Sequence, residues 1–244
     1  MLGIIGGSGL AELDGLTHKR RQVVRTPYGE PSCALTFGRL DDNAVVFLAR
    51  HGHGHTLAPH KINYRANIWA LREVGVKQVL AVATVGGIRA DCAPGALVVP
   101  DQLIDYTNGR INTFFDTAHN PVTHVDFTLP YDQGVREQIL AAGKAAGATL
   151  INGATYGCTQ GPRLETAAEI TRMERDGADL VGMTGMPEAG LARELKIPYA
   201  VLAVVANYAA GLGDSRERIS LEAIGPVLEE TMTRARQVIS QFGQ

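Results

Sequence analysis

Ala44-Val45-Val46-Phe47-Leu48-Ala49, Lys61-Ile62-Asn63-Tyr64-Arg65-Ala66-Asn67-Ile68-Trp69-Ala70-Leu71-Arg72-Glu73-Val74 and Val79-Leu80-Ala81-Val82-Ala83-Thr84 follow one another along the chain and decide its fold class. The outer two are short runs of mostly apolar, often β-branched residues, as strands require. The middle one spaces its apolar residues with the period of a helix. The same alternation extends in both directions. Strands are predicted at Leu2–Ile5, Ala96–Val99, Ala154–Cys158, Leu180–Met183 and Tyr199–Val205. Helices are predicted at Gln133–Ala146, Thr166–Arg175, Pro187–Leu195 and Leu221–Ser240, beside the one at Lys61–Val74. Strands alternating with helices imply an α/β fold, a mixed twisted sheet flanked by helices. Neither a low-complexity linker nor a repeat interrupts residues 1–244, so a single domain is expected. The polar stretch Asp105 to Pro130 has little periodicity, and loops of that length are commonly functional or interfacial.

Bulk composition narrows the function classes. With 45% hydrophobic and 20% charged residues, the 244-residue chain can bury a large core. A net charge of -2 provides no global basic field for nucleic acid or an anionic membrane. Three cysteines without a CxxC spacing argue against a disulfide framework. The first residues lack a basic segment followed by an apolar one, and the longest apolar tract, near Ile197 to Leu212, is interrupted by Asn207 and glycines. A soluble, cytoplasmic protein is expected.

Four segments carry groups suited to an anion. Gly6-Gly7-Ser8-Gly9 follows the first strand, where glycines let backbone amides approach a ligand and Ser8 adds a hydroxyl. It is neither the dinucleotide fingerprint nor a P-loop, and a tight surface turn explains it equally well in isolation. Arg50-His51-Gly52-His53-Gly54-His55 follows a strand; Arg50 presents a rigid fork of donors, and His51 a further donor. The alternate histidines His51, His53 and His55 also admit a metal-binding reading, weakened by the intervening glycines and the lack of a nearby fourth ligand. Ala83-Thr84-Val85-Gly86-Gly87 ends a strand at the carboxyl edge of the sheet, where α/β proteins bind ligands. Gly182-Met183-Thr184-Gly185-Met186-Pro187-Glu188 does the same before a helix. Three strand ends thus point toward one phosphate-sized anion, with Arg50 beside it.

In this order, these segments resemble the trimeric purine nucleoside phosphorylase and methylthioadenosine phosphorylase family. The likeness runs nearly the whole chain and includes Thr26-Pro27-Tyr28-Gly29, Asn63 to Leu71, Gly161-Pro162-Arg163 and Met183 to Glu188. The resemblance implies a nucleoside phosphorylase-like fold and a homo-oligomer, expected to be a trimer. It implies that Ser8, Arg50, His51, Ala83, Thr84 and Thr184 hold inorganic phosphate, Thr84 through its backbone amide. Met183 is expected to line the ribose, with Leu164 also lining the substrate. Phosphate is then a co-substrate, and neither a metal nor an organic cofactor is expected. The chemistry is consistent: phosphate beneath C1′ stabilises an oxocarbenium-like sugar and then captures it, while donors aimed at the purine stabilise its developing negative charge.

Within that family the residues favour one base. Asn207 stands where an adenine-cleaving branch has aspartate, and an amide can both donate to N7 and face O6 of a 6-oxopurine. Ala209 stands where that branch has a second aspartate. Glu165 can accept from the N1–H of hypoxanthine, whereas adenine N1 is itself an acceptor. Such mismatches discriminate by on the order of 10⁴ in a buried site. Helix-start and strand-end roles are the alternatives for Glu165 and Asn207. Together with His51, these two residues are the candidate catalytic set. Leu221 replaces a histidine expected to meet a 5′-hydroxyl, and with Ile224 it would form an apolar wall suited to a methylthio group. Helix core is their other reading. His124 matches a loop that a neighbouring subunit contributes to the 5′ pocket. The expected reaction is phosphorolysis of a 5′-methylthio hypoxanthine nucleoside; adenine or 5′-hydroxyl nucleosides and a histidine-rich metal protein are the alternatives.

Overall fold

A computed structural model describes residues 1–13, 15–116 and 121–242. Its sheet is built from β1 (Leu2–Gly6), β2 (Thr17–Gln22), β3 (Leu35–Leu40), β4 (Asn43–Ala49), β5 (Gln78–Gly87), β6 (Leu97–Val99), β7 (Gln102–Asp105), β8 (Leu150–Asn152), β9 (Thr155–Cys158), β10 (Leu180–Gly182) and β11 (Tyr199–Tyr208). The helices are α1 (Tyr64–Glu73), α2 (Gln133–Ala145), α3 (Ala167–Arg175), α4 (Gly185–Glu194) and α5 (Leu221–Gln241). The expected mixed α/β architecture is present. β1 runs parallel to β4 and β5, β11 parallel to β5, and β3 and β10 antiparallel to their neighbours β4 and β5.

β5 is where the sheet forks. One path runs β2-β3-β4-β1-β5-β10-β9-β7, while β11 also pairs with β5 and leads to β6 and β8. β1 pairs with β5 only as far as Ala81, and β10 joins the strand at Gly86. Between those points, over residues 82–85, that edge of β5 has no strand beside it among the described residues, and a cavity opens into the gap. Ile4, Ile5, Leu80, Val82, Leu202 and Val204 are buried at the centre of this arrangement, each contributing about 1.5–3 kcal/mol.

Local chemistry sets the helix boundaries. α1 begins later than Lys61, because Pro59–Lys61 forms a separate 3-10 turn and Asn63 caps the helix by accepting from the Ala66 amide. Both asparagines of this segment make further structural hydrogen bonds. Asn63 Nδ2 donates to the Tyr28 carbonyl, while the fully buried Asn67 exchanges hydrogen bonds with Ser32. Thr166 caps α3 rather than opening it, forming a reciprocal capping box with Glu169.

Two strands outrun their predicted ends by three residues each. β5 continues past Thr84 through Gly87 instead of turning at its glycines, because Gly86 and Gly87 pair on both sides, with β10 and with β11. β11 continues through Tyr208, carrying Asn207 on the strand. Strands β2, β3, β7 and β8 were not predicted at all. At Gly87 the backbone of Cys92 packs so closely that a Cβ would lie 1.8 Å from its carbonyl oxygen. Gly87→Ala should therefore destabilise the fold by about 3 kcal/mol, an overpacking cost, seen as a lower urea midpoint; an unchanged midpoint would mean that this backbone yields.

Candidate active site

A cavity of about 570 Å³ opens where β1, β4, β5, β10 and β11 end. One wall is made by Gly7, Ser8, Arg50, His51, Thr84 and Thr184, and the other by Leu164, Glu165, Met183, Asn207, Leu221 and Ile224. Strand ends and loops distant in sequence thus bring eleven of the thirteen expected site residues onto one surface; the other two are exceptions. Ala83 is buried within β5 and is not part of the lining, whereas Thr84 and Gly86 of the same strand are. His124 is exposed and is not part of the lining either. The long loop carrying it is described except for residues 117–120.

Arg50 is set by an ion pair that the sequence did not reveal. Its Nε and one terminal nitrogen donate to the two carboxylate oxygens of Glu188, both at 2.7 Å, and its other terminal nitrogen donates to the Val82 carbonyl at 2.9 Å. Both side chains are buried, at 1% and 0% exposure. Tyr199 donates its hydroxyl hydrogen to the same carboxylate at 2.8 Å. Although burial alone would lower the Arg50 pKa, the charge and hydrogen bonds of Glu188 outweigh it and hold the guanidinium above its usual range. Glu188 thus occupies one edge of the guanidinium, and the second hydrogens of the two terminal nitrogens remain for a ligand. Gly7 makes this possible, since a Cβ there would lie 2.7 Å from the Val82 oxygen and 3.0 Å from Arg50.

His51 is likewise oriented by the backbone. Its Nδ1 lies 2.8 Å from the Leu57 carbonyl oxygen, and the Leu57 amide donates back to the His51 carbonyl at 2.9 Å. A carbonyl oxygen only accepts, so Nδ1 carries the hydrogen. Burial, assisted by the neighbouring Arg50 charge and by His55, pushes the His51 pKa down to about 4 against the favourable bond to Leu57. In neutral imidazole Nε2 is then an acceptor, not the donor expected from the sequence. The His55 ring stacks on His51 at 4.2 Å, whereas His53 lines a different cavity beside β2, β3 and β4. The three imidazoles therefore do not converge, and among the described residues no cluster of three or more His, Cys, Asp or Glu side chains gathers around a point.

The remaining polar groups fall into place around this pair. The Thr84 hydroxyl donates to the Ser8 carbonyl at 2.8 Å, tying β5 to the glycine-rich turn. Thr184 stands at the α4 N-cap position without using its side chain as a cap, which leaves its hydroxyl for the cavity. Met186 is extended, so the regular part of α4 starts at Pro187 and places Glu188 in its first turn, where the helix dipole favours a carboxylate. On the opposite wall, a bulge at Ala206 shifts the register between Val205 and Asn207 and sets Asn207 against Gly86. Asn207 Nδ2 donates to the Tyr208 carbonyl at 2.6 Å, leaving one N–H and the amide oxygen. Glu165 lies just before the α3 cap, and its carboxylate accepts from the Thr159 hydroxyl at 2.6 Å instead of serving the helix start.

The apolar end is open in a single chain. Leu221 and Leu164 line the cavity yet are 74% and 44% exposed. Ile219 and Leu228 join Ile224 on this side, neither of them anticipated from the sequence.

A family model described as the Phosphorylase superfamily matches residues 1–243. A probable S-methyl-5′-thioinosine phosphorylase of Xanthomonas campestris pv. campestris is 55% identical over 226 residues, covering 93% of this chain and 90% of the relative. A 6-oxopurine nucleoside phosphorylase of Pyrococcus furiosus is 47% identical over 220 residues, covering 88% of this chain and 82% of the relative. Among solved structures, a methylthioadenosine phosphorylase from an antarctic soil metagenomic library superposes with a TM-score of 0.91 at 39% identity, covering 98% of this chain and 84% of that one.

Two measurements test the site's architecture. Glu188→Ala strands a buried guanidinium and should cost about 3–5 kcal/mol, read from urea denaturation; a loss under 1 kcal/mol would show that Arg50 is not held by this pair. For His51, the unfolded chain takes up a proton near pH 6.5 and the folded chain only near pH 4. Its contribution to stability is therefore complete above that window and is lost as the pH falls through it. In phosphate-free buffer, His51→Gln should flatten the fall of Tm between pH 6.5 and 4. Parallel curves for the two proteins would refute that assignment.

Proposed function

We propose, given that the chain belongs to the phosphorylase superfamily, that it cleaves S-methyl-5′-thioinosine with inorganic phosphate, giving hypoxanthine and 5-methylthioribose 1-phosphate in cytoplasmic purine salvage. The observation that carries this reading is the meeting, in one cavity, of an anion-binding wall with Glu165 and Asn207 on the facing wall. Ser8, Arg50, His51, Thr84 and Thr184 hold phosphate, with Arg50 supplying the positive charge. Phosphate is the co-substrate, and no metal or organic cofactor takes part.

In the reaction the C1′–N9 bond breaks and a C1′–O bond to phosphate forms. Hydrogen phosphate yields the sugar phosphate dianion, and its proton ends on the purine. As the bond stretches, the sugar gains positive charge, stabilised by the bound phosphate, and the base gains negative charge. The free N–H of Asn207 donates toward N7, and its amide oxygen can orient toward a protonated position of the base. Glu165, held by Thr159, accepts from N1–H of hypoxanthine. Adenine lacks that hydrogen, and Ala209 offers no acceptor for its amino group. Met183 lies against the ribose. Leu221, Ile224 and Leu228 receive the methylthio group, which asks for no hydrogen bond. The exposure of Leu221 and Leu164 supports a homotrimer in which a neighbouring copy, through the loop bearing His124, covers the 5′ end.

Product analysis with methylthioinosine, methylthioadenosine, inosine and adenosine, each with and without phosphate, tests the proposal. Hypoxanthine release from methylthioinosine should depend on phosphate and exceed adenine release from methylthioadenosine by about 10²-fold or more in kcat/KM. Equal or better adenine release would overturn the base assignment, and preference for inosine would overturn the 5′ assignment. Asn207→Asp combined with Glu165→Ser should move preference toward adenine nucleosides. Full retention of hypoxanthine preference would remove these two residues from base recognition.

A further inference from the structure

Arg110 lies in the long loop after β7, outside the cavity lining, yet its guanidinium makes a dense set of contacts directly behind it. Nε donates to the Gln160 side-chain oxygen at 3.0 Å. One terminal nitrogen donates to the carbonyls of Met183 at 2.9 Å and Met186 at 2.5 Å. The other donates to the carbonyls of Thr159 at 3.2 Å and Gln160 at 2.8 Å. A guanidinium has five N–H donors and no acceptor, and every one of them is engaged here. The acceptors are dipoles, not charges: among the described residues Arg110 makes no ion pair.

These contacts fall where the sheet stops holding the site. β9 and β10 are paired up to Cys158 and Gly182, and the Thr159 amide still donates to the Gly182 carbonyl at 2.8 Å. Beyond that point the two chains diverge. One leads through Thr159 and Gln160 to Leu164 and Glu165, and the other through Met183 to Thr184. Arg110 bridges the divergence from behind, gripping carbonyls on both sides. Thr159, one of its acceptors, also positions the Glu165 carboxylate through its hydroxyl.

Anchoring the loop does not require this arginine. Arg65 pairs with Asp116 at 2.9 Å, and Glu194 accepts from the Thr113 hydroxyl at 2.6 Å and the Phe114 amide at 2.7 Å. Tyr28 packs edge-on against Phe114 at 5.0 Å. We infer that Arg110 is a positioning residue for the nucleoside half of the site, fixing the spacing between Glu165 and Met183, while the phosphate wall is held independently by Arg50 and Glu188. The inference rests on the phosphorylase reading above and adds to it a division of the site into two separately supported halves.

The test is steady-state kinetics of Arg110→Met and Arg110→Lys in the full chain, varying nucleoside and phosphate separately. Arg110→Met should lose about 10²-fold in kcat/KM for the nucleoside, as small displacements of positioning groups do. It should also narrow the hypoxanthine-over-adenine preference, while the phosphate KM stays within about 3-fold. Arg110→Lys, with one point charge and three donors, should recover only part of the loss, and millimolar guanidinium chloride should restore activity to Arg110→Met. Equal losses for nucleoside and phosphate, tracking a fall in Tm, would reduce Arg110 to a stabilising residue and overturn the inference. So would wild-type nucleoside kinetics in Arg110→Met. Absence of phosphate-dependent cleavage in the unmutated protein would instead overturn the phosphorylase reading itself.

Discussion

Arg50 and Glu188 are both removed from water, and neither charge can remain in the core without the other. Desolvating a single ion costs several kcal/mol even after relaxation, so the chain has to bring the end of β4 and the start of α4 into register. The same pair reaches further, since Arg50 also donates to Val82 in β5 and Glu188 also accepts from Tyr199 in β11. Four elements are thereby locked around one carboxylate. The consequence for chemistry is a cation whose position is settled before any ligand arrives. Two of its hydrogens remain uncommitted beside the unpaired edge of β5. Preorganised charge of this kind needs no rearrangement as the reaction proceeds, which is the condition under which electrostatic stabilisation is largest.

The neighbouring groups extend that preorganisation by backbone means. His51 is held by a two-way exchange of hydrogen bonds with Leu57, and Ser8 is tied to β5 through the Thr84 hydroxyl. Neutral His51 presents a lone pair beside Arg50, so this wall combines donors with one acceptor, which complements the hydrogen phosphate proposed to bind there. The facing wall is built differently. Asn207 depends on a bulge and Glu165 on a threonine hydroxyl, and both lie on segments that leave the sheet.

How much of this was legible in sequence depends on how local each determinant is. The apolar runs of β1, β4, β5 and β11 and the periodicity of the five helices announce themselves within a dozen residues. β2 does not, because Thr17 to Gln22 is an edge strand exposed throughout, with charged side chains of the kind that protect edges. β7 and β8 are short, and their pairing partners, not their composition, make them strands. Gly86 and Gly87 read as a turn, but double-sided pairing holds them extended. Arg50 stood out as an anion ligand, but its partner lies 138 residues away. Arg110 contacts groups 46 to 76 residues away and had no local signal beyond sitting in a long polar loop. His51 was read as a donor because its tautomer is chosen by a carbonyl that only the folded loop brings near.

The separation between the two walls bears on how one fold serves several nucleosides. Relatives named for 6-oxopurine nucleosides, methylthioinosine and methylthioadenosine share this architecture. Changing Arg50 or Glu188 breaks a buried pair and endangers the fold along with the site. Glu165 and Asn207 are only half-buried and Leu221 is largely exposed, and substitutions at such positions usually perturb stability little. On the reading proposed above, specificity can therefore change at the rim while the wall around Arg50 stays constant, because the residues proposed to choose the base and the 5′ group are not the residues that hold the sheet together. Arg110 belongs between the two classes: it bears no weight in the core, yet it sets the distance at which the exchangeable residues meet their substrate.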